Sequence, residues 1–474
     1  MFANVSKPVD GDFAQTLVPP GKPKEETAAA QCPLWYRERL QSSDVGLGVM
    51  LGGSSARLIV LPLGHEDDPR LVTDDNRFQL SWPDYKNGTS CKGTPKWPGS
   101  EEFVRDFAKH TLAFLKEKGI SPSRVVKIQG SIAGFVAEPG TDCAITTTNT
   151  PVRFENFSFG RSFLKALKEG DSGRKAFKHV ESIPLINDGC AAAFGDILHP
   201  QGAARGLSDI TTIIMGTGIG GSGVSGGRVL AARSELGHTL WYDSLEDQYV
   251  YVPLKQLIQD KLYVNGHYKE LPDRRYSYFE HRLAGPWIAM HFVKEISNNG
   301  ALVEALARAT KVPTATLMKL EELKRSDEGR WAMQANGAYI FPVNKFILGH
   351  TYAEELFPLP VYAPVGVRGG NEHERVAHGK LIEAAVEYKR KIHRELGKAL
   401  ATLEQQPAFR GSTYVLVSGV AENWHKIDGA NFSKPLYRAC GIDCATKRIR
   451  VSPLDGSSRE ACGVIDGKMD AVAA

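Results

Sequence analysis

Thr211-Thr212-Ile213-Ile214-Met215-Gly216-Thr217-Gly218-Ile219-Gly220-Gly221-Ser222-Gly223-Val224-Ser225-Gly226-Gly227 is the most informative stretch of the chain. It opens as an apolar, β-branched run over 212–215 and breaks into glycines at 216–221. It resumes at Val224 and, after a second turn, at Val229-Leu230. The pattern predicts strand, glycine turn, strand. Glycines packed this closely let the backbone turn several N–H groups into one concavity, a nest that holds phosphate oxygens without a cationic side chain. The same residues also suit a hairpin that merely turns. A P-loop would need a helix and Gly-Lys-Ser/Thr after the glycines, and a dinucleotide fold would need a helix there too. Neither context is present.

A second segment has the same plan. Val45 to Leu63 runs from an apolar strand through Gly52-Gly53-Ser54-Ser55 into Leu58-Ile59-Val60-Leu61. Two glycine hairpins in one chain predict a two-lobed clamp, with a polyphosphate in the cleft between the lobes, where small-molecule sites commonly lie.

At 474 residues the chain exceeds what one hydrophobic core supports, so two domains are expected. Hydrophobic residues make up 42% and charged residues 24%, ordinary values for a globular enzyme. The formal net charge is only +4 and no Lys/Arg block tracks a nucleic-acid backbone, which argues against nucleic acid as partner. Seven scattered cysteines point to reduced thiols in a cytoplasmic setting rather than a disulfide framework. Cys440 and Cys444 have one-turn spacing, but no second pair lies nearby to complete a metal site. No run reaches the ~18 apolar residues of a membrane span.

Along the chain, residues 1–43 read as a flexible leader with a short helix at 34–40. A helix is expected from Ser100 as N-cap to Gly119, with Phe103, Phe107, Phe114 and Leu115 on one face. Strand Val125 to Ile128 leads into Gly130-Ser131-Ile132-Ala133-Gly134, and a polar loop carries Thr146-Thr147-Thr148-Asn149. Ile183 to Ile186 forms a short strand ending at Asn187-Asp188, before a helix through Ala191-Ala192-Ala193. That places a carboxylate at a strand's carboxyl end and a helix's amino end, where open α/β sheets build their sites. Helical patterns cover 254–263, 301–323 and 374–403, the last feeding strand Tyr414 to Val417, which breaks at Ser418-Gly419. Strands alternating with helices predict α/β layers.

Taken in order, these segments resemble the ROK family of sugar kinases, within the actin-like and hexokinase-like ATPases. The resemblance rests on Met50-Leu51-Gly52-Gly53-Ser54, then Asn187 to Asp196, then Gly216 to Gly221, then Ser234-Glu235-Leu236-Gly237-His238, and finally Val417-Ser418-Gly419-Val420. Weaker matches lie at Gly130 to Gly134 with Asn149, and at Tyr278 to Pro286. The resemblance implies an α/β, two-lobed actin-like ATPase (ribonuclease H-like) fold with its active site in the interlobe cleft. The small lobe would span 44–185, completed by a C-terminal helix over 457–474, and the large lobe 186–456. It further implies a glucokinase-like enzyme that uses ATP and Mg2+ on a hexose-like sugar or cyclitol and assembles as a homodimer.

The residue roles follow from the same match. Asp188 would take the proton of the attacking hydroxyl, although an aspartate there also suits a helix cap. Asn149, Asn187, Glu235, His238 and Glu280 would hold sugar hydroxyls. Gly52, Gly53, Ser54, Gly216, Thr217 and Gly218 would hold phosphates, and Gly419 would admit the nucleoside. Two departures stand out. Met50 occupies the position of an aspartate that serves the magnesium shell, and a thioether is a poor ligand for a hard cation. The interval from His238 to Glu280 contains no cysteine, so no structural zinc is expected there. Met50 keeps open a second reading, a catalytically weak sensor or regulatory protein of the same fold. A DNA-binding repressor is disfavoured, because residues 1–44 lack paired helices and a basic recognition helix.

Overall fold

The computed structural model describes residues 33–53, 55–63, 72–73, 75–94, 96–136, 142, 146–147, 150–216, 218–230, 233–264, 267–269, 271, 273–320, 339–349, 372–417, 420–421, 436, 438, 440–454, 463, 465 and 472–473. Strand β1, Val45–Leu51, is buried along its whole length, as a run without polar alternation requires. It pairs antiparallel with β2, Ser55–Pro62, which pairs antiparallel with β3, Arg77–Ser81. On its other side lies β4, Val125–Ile132, parallel to it, and then β5, Leu185–Asn187, parallel to β4. The order is therefore β3-β2-β1-β4-β5.

The second sheet repeats this plan. Its central strand β6, Asp209–Met215, pairs antiparallel with β7, Ile219–Ser225, and β7 with β8, Arg228–Leu230. Strand β9, Thr413–Val417, lies parallel to β6, and β10, Ile449–Val451, parallel to β9. One antiparallel meander with two parallel strands on its far side, built twice, is the two-lobed, ribonuclease H-like architecture of the actin-like ATPases. Both glycine hairpins thus sit at equivalent positions, between the first and second strands of each sheet.

Helices cover these sheets. Helix α1, Ser100–Glu117, buries Phe103, Phe107, Phe114 and Leu115. Phe103, Phe107 and Phe154 meet α2, Phe159–Leu167, in an aromatic core beside the first sheet. Beneath the second sheet pack α4, Gly285–Ile296, α5, Gly300–Thr310, α6, Phe341–Leu348, and the long α7, Glu372–Gln405. A third cluster joins the two halves. In it, Met50, Ile59 and Leu61 from the first sheet meet Ile210, Val224, Val415 and Val417 from the second, through α3, Asp188–Leu198, and its Cys190, Ala191, Ala193 and Phe194.

Several expectations need correction. Helix α1 is capped by the backbone of Gly99, and Ser100 is its first residue, its hydroxyl donating to the Arg153 carbonyl. The expected leader ends earlier than 43, because the helix Leu34–Ser42 buries Tyr36 and Leu40 in the first sheet's core. The segment 254–263 is helical only over Leu254–Gln259, since Lys261 takes a left-handed φ of 55° and Tyr263–Val264 is extended. The segment 301–323 splits at Lys311 and Pro313 into Gly300–Thr310 and Thr314–Leu317. The helix expected over 457–474 does not reach its end, where Val472–Ala473 forms a strand parallel to β8 in the second sheet. Upstream, Gly463 lies against Ala191 of α3, and Ile465 accepts a hydrogen bond from Lys127 Nζ on β4 at 2.7 Å.

Candidate active site

Strand β5 delivers Asn187 and Asp188 to the start of α3. Asn187 is the N-cap, its Oδ1 accepting the Gly189 N–H at 2.9 Å while its Nδ2 donates to the Gly134 carbonyl at 2.9 Å. The capping role that Asp188 could have filled is thereby taken by its neighbour. Asp188 is the first helical residue, with Oδ1 2.8 Å from the Gly189 N–H, at the end of α3 where the helix dipole favours negative charge.

The amino end of α3 rests on β7. A β-carbon at Gly189 would lie 3.4 Å from the Gly221 carbonyl, and that same carbonyl accepts the Glu235 N–H at 3.2 Å. Asp188 and Glu235 are brought together around this one peptide. Burial pushes the Cys190 thiol up to about 12, with further contributions from Asp188 and Glu235, so both carboxylates act on one sulfur. Its Sγ lies 2.9 Å from Ser222 Oγ.

Glu235 itself is left-handed, at φ 57° and ψ 40°, and starts the single helical turn Leu236–Thr239. This turn sits directly on β7, since a β-carbon at Gly237 would fall 2.2 Å from the Ile219 carbonyl. His238 follows, with its Nδ1 3.9 Å from Glu235 Oε2 and its Nε2 4.0 Å from Glu280 Oε1. Burial, helped by His281, pushes its pKa down to about 3, so the ring is neutral at pH 7. These separations exceed hydrogen-bond length. A neutral imidazole offers one donor and one acceptor.

Glu280 opens the short helix Glu280–Leu283 and reaches the second glycine loop, where its Oε2 accepts the Ile219 N–H at 2.9 Å. Burial raises it to about 7, against the opposing pull of that hydrogen bond. Sequence reasoning brought Glu235, His238 and Glu280 to one place, and the structure does so. It did not anticipate that Glu280 would also hold the backbone of the glycine turn. The turn itself is closed by Gly216 N–H on the Gly218 carbonyl, and Gly285 N–H donates to the Gly216 carbonyl at 2.8 Å.

At the first glycine loop, Gly52 N–H donates to the Ser55 carbonyl at 3.0 Å, and Trp82 Nε1 donates to the Gly52 carbonyl at 2.8 Å. Neither Trp82 nor Arg57, whose Nη2 would lie 3.7 Å from a β-carbon at Gly52, was singled out in the sequence. Arg57 could have been found by pairing the hairpin, which sets it opposite Met50. Met50 is fully buried in the apolar cluster between the halves and offers no oxygen. The donor chemistry at this position does not fit magnesium, and among the described residues no group of three His, Cys, Asp or Glu side chains could hold a metal. Asn149, Ser54, Thr217 and Gly419 lie outside the described residues.

Beyond His238 the chain forms a three-stranded sheet of Leu240–Asp243, Gln248–Tyr251 and Tyr276–Tyr278, locked by Arg275 on Asp243 at 2.6 Å. Trp241 Nε1 donates to the His238 carbonyl at 2.9 Å, and the Tyr278 ring packs edge-on against the imidazole. Among the described residues no helix is long and apolar enough to cross a membrane.

No family model and no curated protein matches the sequence. Solved structures do. A ROK family transcriptional regulator, homologous to the E. coli MLC protein, superposes with a TM-score of 0.51 at 13% identity, over 90% of this chain and 80% of its own. The chain has the ROK fold. A ROK family glucokinase from Streptomyces griseus, solved with glucose and AMPPNP, gives 0.48 at 15% identity, over 89% of this chain and 98% of its own. A ROK hexokinase from Thermus thermophilus gives 0.43 at 16%, over 89% and 97%. In the ROK fold of this chain, both glycine hairpins, the Asn187-Asp188 corner and the Glu235-His238-Glu280 group belong to the two sheets and the elements packed on them.

Proposed function

We propose that the chain transfers the terminal phosphoryl group of ATP to a hydroxyl of a hexose or hexose-like sugar or cyclitol, with Asp188 as general base. The observation that carries this reading is the placement of Asp188. It stands at the amino end of a helix whose cap is already provided, beside the Gly221 peptide that holds Glu235. In phosphoryl transfer the protein mainly positions groups and stabilises charge, and one carboxylate in reach of the attacking hydroxyl suffices as base. Glu235, His238 and Glu280 would hold further hydroxyls. A sugar oxygen lying between His238 and either glutamate can reach both at hydrogen-bond length, and a polyol supplies several such oxygens. Gly52, Gly53, Gly216 and Gly218 would hold the phosphates, with Ser54, Thr217, Asn149 and Gly419 completing the site by resemblance. A homodimer in the cytoplasm belongs to the same reading.

The test is ADP release from ATP against a panel of hexoses, amino sugars and cyclitols. Asp188→Asn should lower sugar-dependent release by about a hundredfold or more, the scale of general-base catalysis, and leave the melting temperature within a few degrees. Equal turnover in the variant removes Asp188 as base. Met50 favours a second reading, a sugar-binding sensor of the same fold. Sugar-induced thermal stabilisation without release from any sugar would select it.

A further inference from the structure

His238 sits in the single turn Leu236–Thr239, and one helical turn has too few hydrogen bonds to hold a side chain in place by itself. The restraint comes from the two segments that flank it. Strand Leu240–Asp243 leaves this turn, strand Tyr276–Tyr278 leads into Glu280, and the two pair antiparallel with Trp241 opposite Tyr278. Phe279 N–H extends the pairing onto the Leu240 carbonyl at 2.9 Å, so Glu280 directly follows a residue tied to the chain two positions after His238. Backbone pairing therefore sets how far apart the two segments lie. It does not orient the imidazole. That falls to two rings, which point to the same side because opposed residues of an antiparallel pair do so. The indole and the phenol meet edge to face, with centroids 6.3 Å apart. Trp241 uses its one donor, Nε1–H, on the His238 carbonyl at 2.9 Å. Tyr278 lies edge-on to the imidazole at 5.3 Å, is 3% exposed, and has its hydroxyl tied to the Lys269 carbonyl at 2.9 Å. His281 packs edge-on to the same phenol at 5.5 Å. The phenol cannot shift without breaking a hydrogen bond and two ring contacts.

We propose that Trp241 and Tyr278 are positioning residues for His238, one holding its backbone and the other its ring, so that Nδ1 faces Glu235 and Nε2 faces Glu280 at a fixed spacing. Those separations, 3.9 and 4.0 Å, both lie beyond hydrogen-bond length, and a tilt of the ring changes them together. A neutral imidazole held in one orientation offers its donor and its acceptor in defined directions. The consequence for ligand binding rests on reading Glu235, His238 and Glu280 as the sugar site. There, a preset geometry favours a polyol whose hydroxyl spacing matches it and spares the cost of ordering the ring on binding. Without either aromatic residue the ring samples other orientations, and the sugar must order it.

The experiment combines two readouts on the full chain for the wild type, Trp241→Phe and Tyr278→Leu. The first is imidazole 15N NMR at pH 7, with the His238 signals assigned by their loss in His238→Gln. The second is the steady-state kinetics of sugar-dependent ADP release. In the wild type the two ring nitrogens should report one neutral tautomer, and in both variants their shifts should move towards each other as the tautomers mix. Sugar KM should rise at least about threefold, the scale of one hydrogen bond. The kcat should stay within about twofold, because a group that binds ground state and transition state alike acts on KM. Thermal unfolding shows whether Tyr278→Leu folds. Should it not, Trp241→Phe decides, because it keeps a ring in place and removes only the indole N–H. Wild-type nitrogen shifts in the deciding variant, or an unchanged KM beside a lowered melting temperature, overturns the positioning role and makes both residues plain scaffold. If the wild type releases ADP with no sugar, the kinase reading fails instead, and the nitrogen shifts alone decide whether the two rings position His238.

Discussion

Replacing Glu280 by Gln isolates the energetic cost of keeping a carboxyl group inside the candidate site. Gln has the same shape and can still accept the Ile219 N–H, but it cannot ionise. In the folded chain the carboxyl is raised from an ordinary 4.5 to about 7, chiefly by burial. Below pH 4.5 it is protonated whether the chain is folded or not, and it contributes no difference. Between 4.5 and 7 the unfolded chain releases its proton and the folded chain keeps it, so stability declines as pH rises, and the decline is complete above 7. That interval corresponds to at most about 3 kcal/mol. Glu280 retains 25% of its side-chain surface, so water at the site screens the charge, and roughly 1–2 kcal/mol is expected. His238 is shifted the opposite way, but it is present in both proteins and cancels in their difference. Urea unfolding at pH 4, 5, 6, 7 and 8 measures that difference. Glu280→Gln should match the wild type at pH 4 and exceed its stability by the stated amount at pH 8. A difference that stays constant with pH would refute the account of Glu280 as a buried, readily protonated carboxyl.

Two further perturbations test the scaffold around the site. Asn187→Ala removes the cap of α3, worth about 1 kcal/mol, and withdraws the amide from the buried Gly134 carbonyl at a further ~1–3 kcal/mol. Its melting temperature should fall well below that of Asp188→Asn, which keeps the cap, and equal melting temperatures would contradict the assignment. Gly237→Ala puts a methyl group 2.2 Å from the Ile219 carbonyl and should cost about 1–3 kcal/mol while weakening sugar binding through the adjacent His238. Gly300→Ala meets nothing within 4 Å at the start of α5 and should leave unfolding and sugar affinity unchanged, a control for the substitution itself.

Both glycine hairpins were legible because a strand, a turn and a strand are written in neighbouring residues. The Asn187-Asp188 corner was legible for the same reason, as two polar residues directly after Leu185-Ile186. Features set by distant chain were not. Ser100 has the composition of an N-cap, yet its hydroxyl is claimed by Arg153, and no local rule foresees that competition. Tyr36 and Leu40 follow a Pro/Lys/Glu-rich stretch that reads as mobile, and only the presence of the first sheet makes their burial favourable. Glu280 was assigned to the sugar from its motif. Its attachment to Ile219 depends on how two segments 61 residues apart dock. Pairing β1 with β2 on paper would have exposed the Met50–Arg57 opposition, since hairpin register follows once the loop length is known.

The contacts at 463–473 bear on how this protein should be handled at the bench. Gly463 abuts the helix that carries Asp188, Ile465 packs against Gly46 in the first sheet, and Val472–Ala473 is zipped to the edge of the second. A purification tag or fluorescent fusion appended after residue 474 would bear directly on the Val472–Ala473 pairing, so a reduced readout from such a fusion would not report on the candidate site alone. A label at Leu245, 73% exposed at the tip of the Leu240–Asp243 hairpin, keeps clear of every one of those contacts.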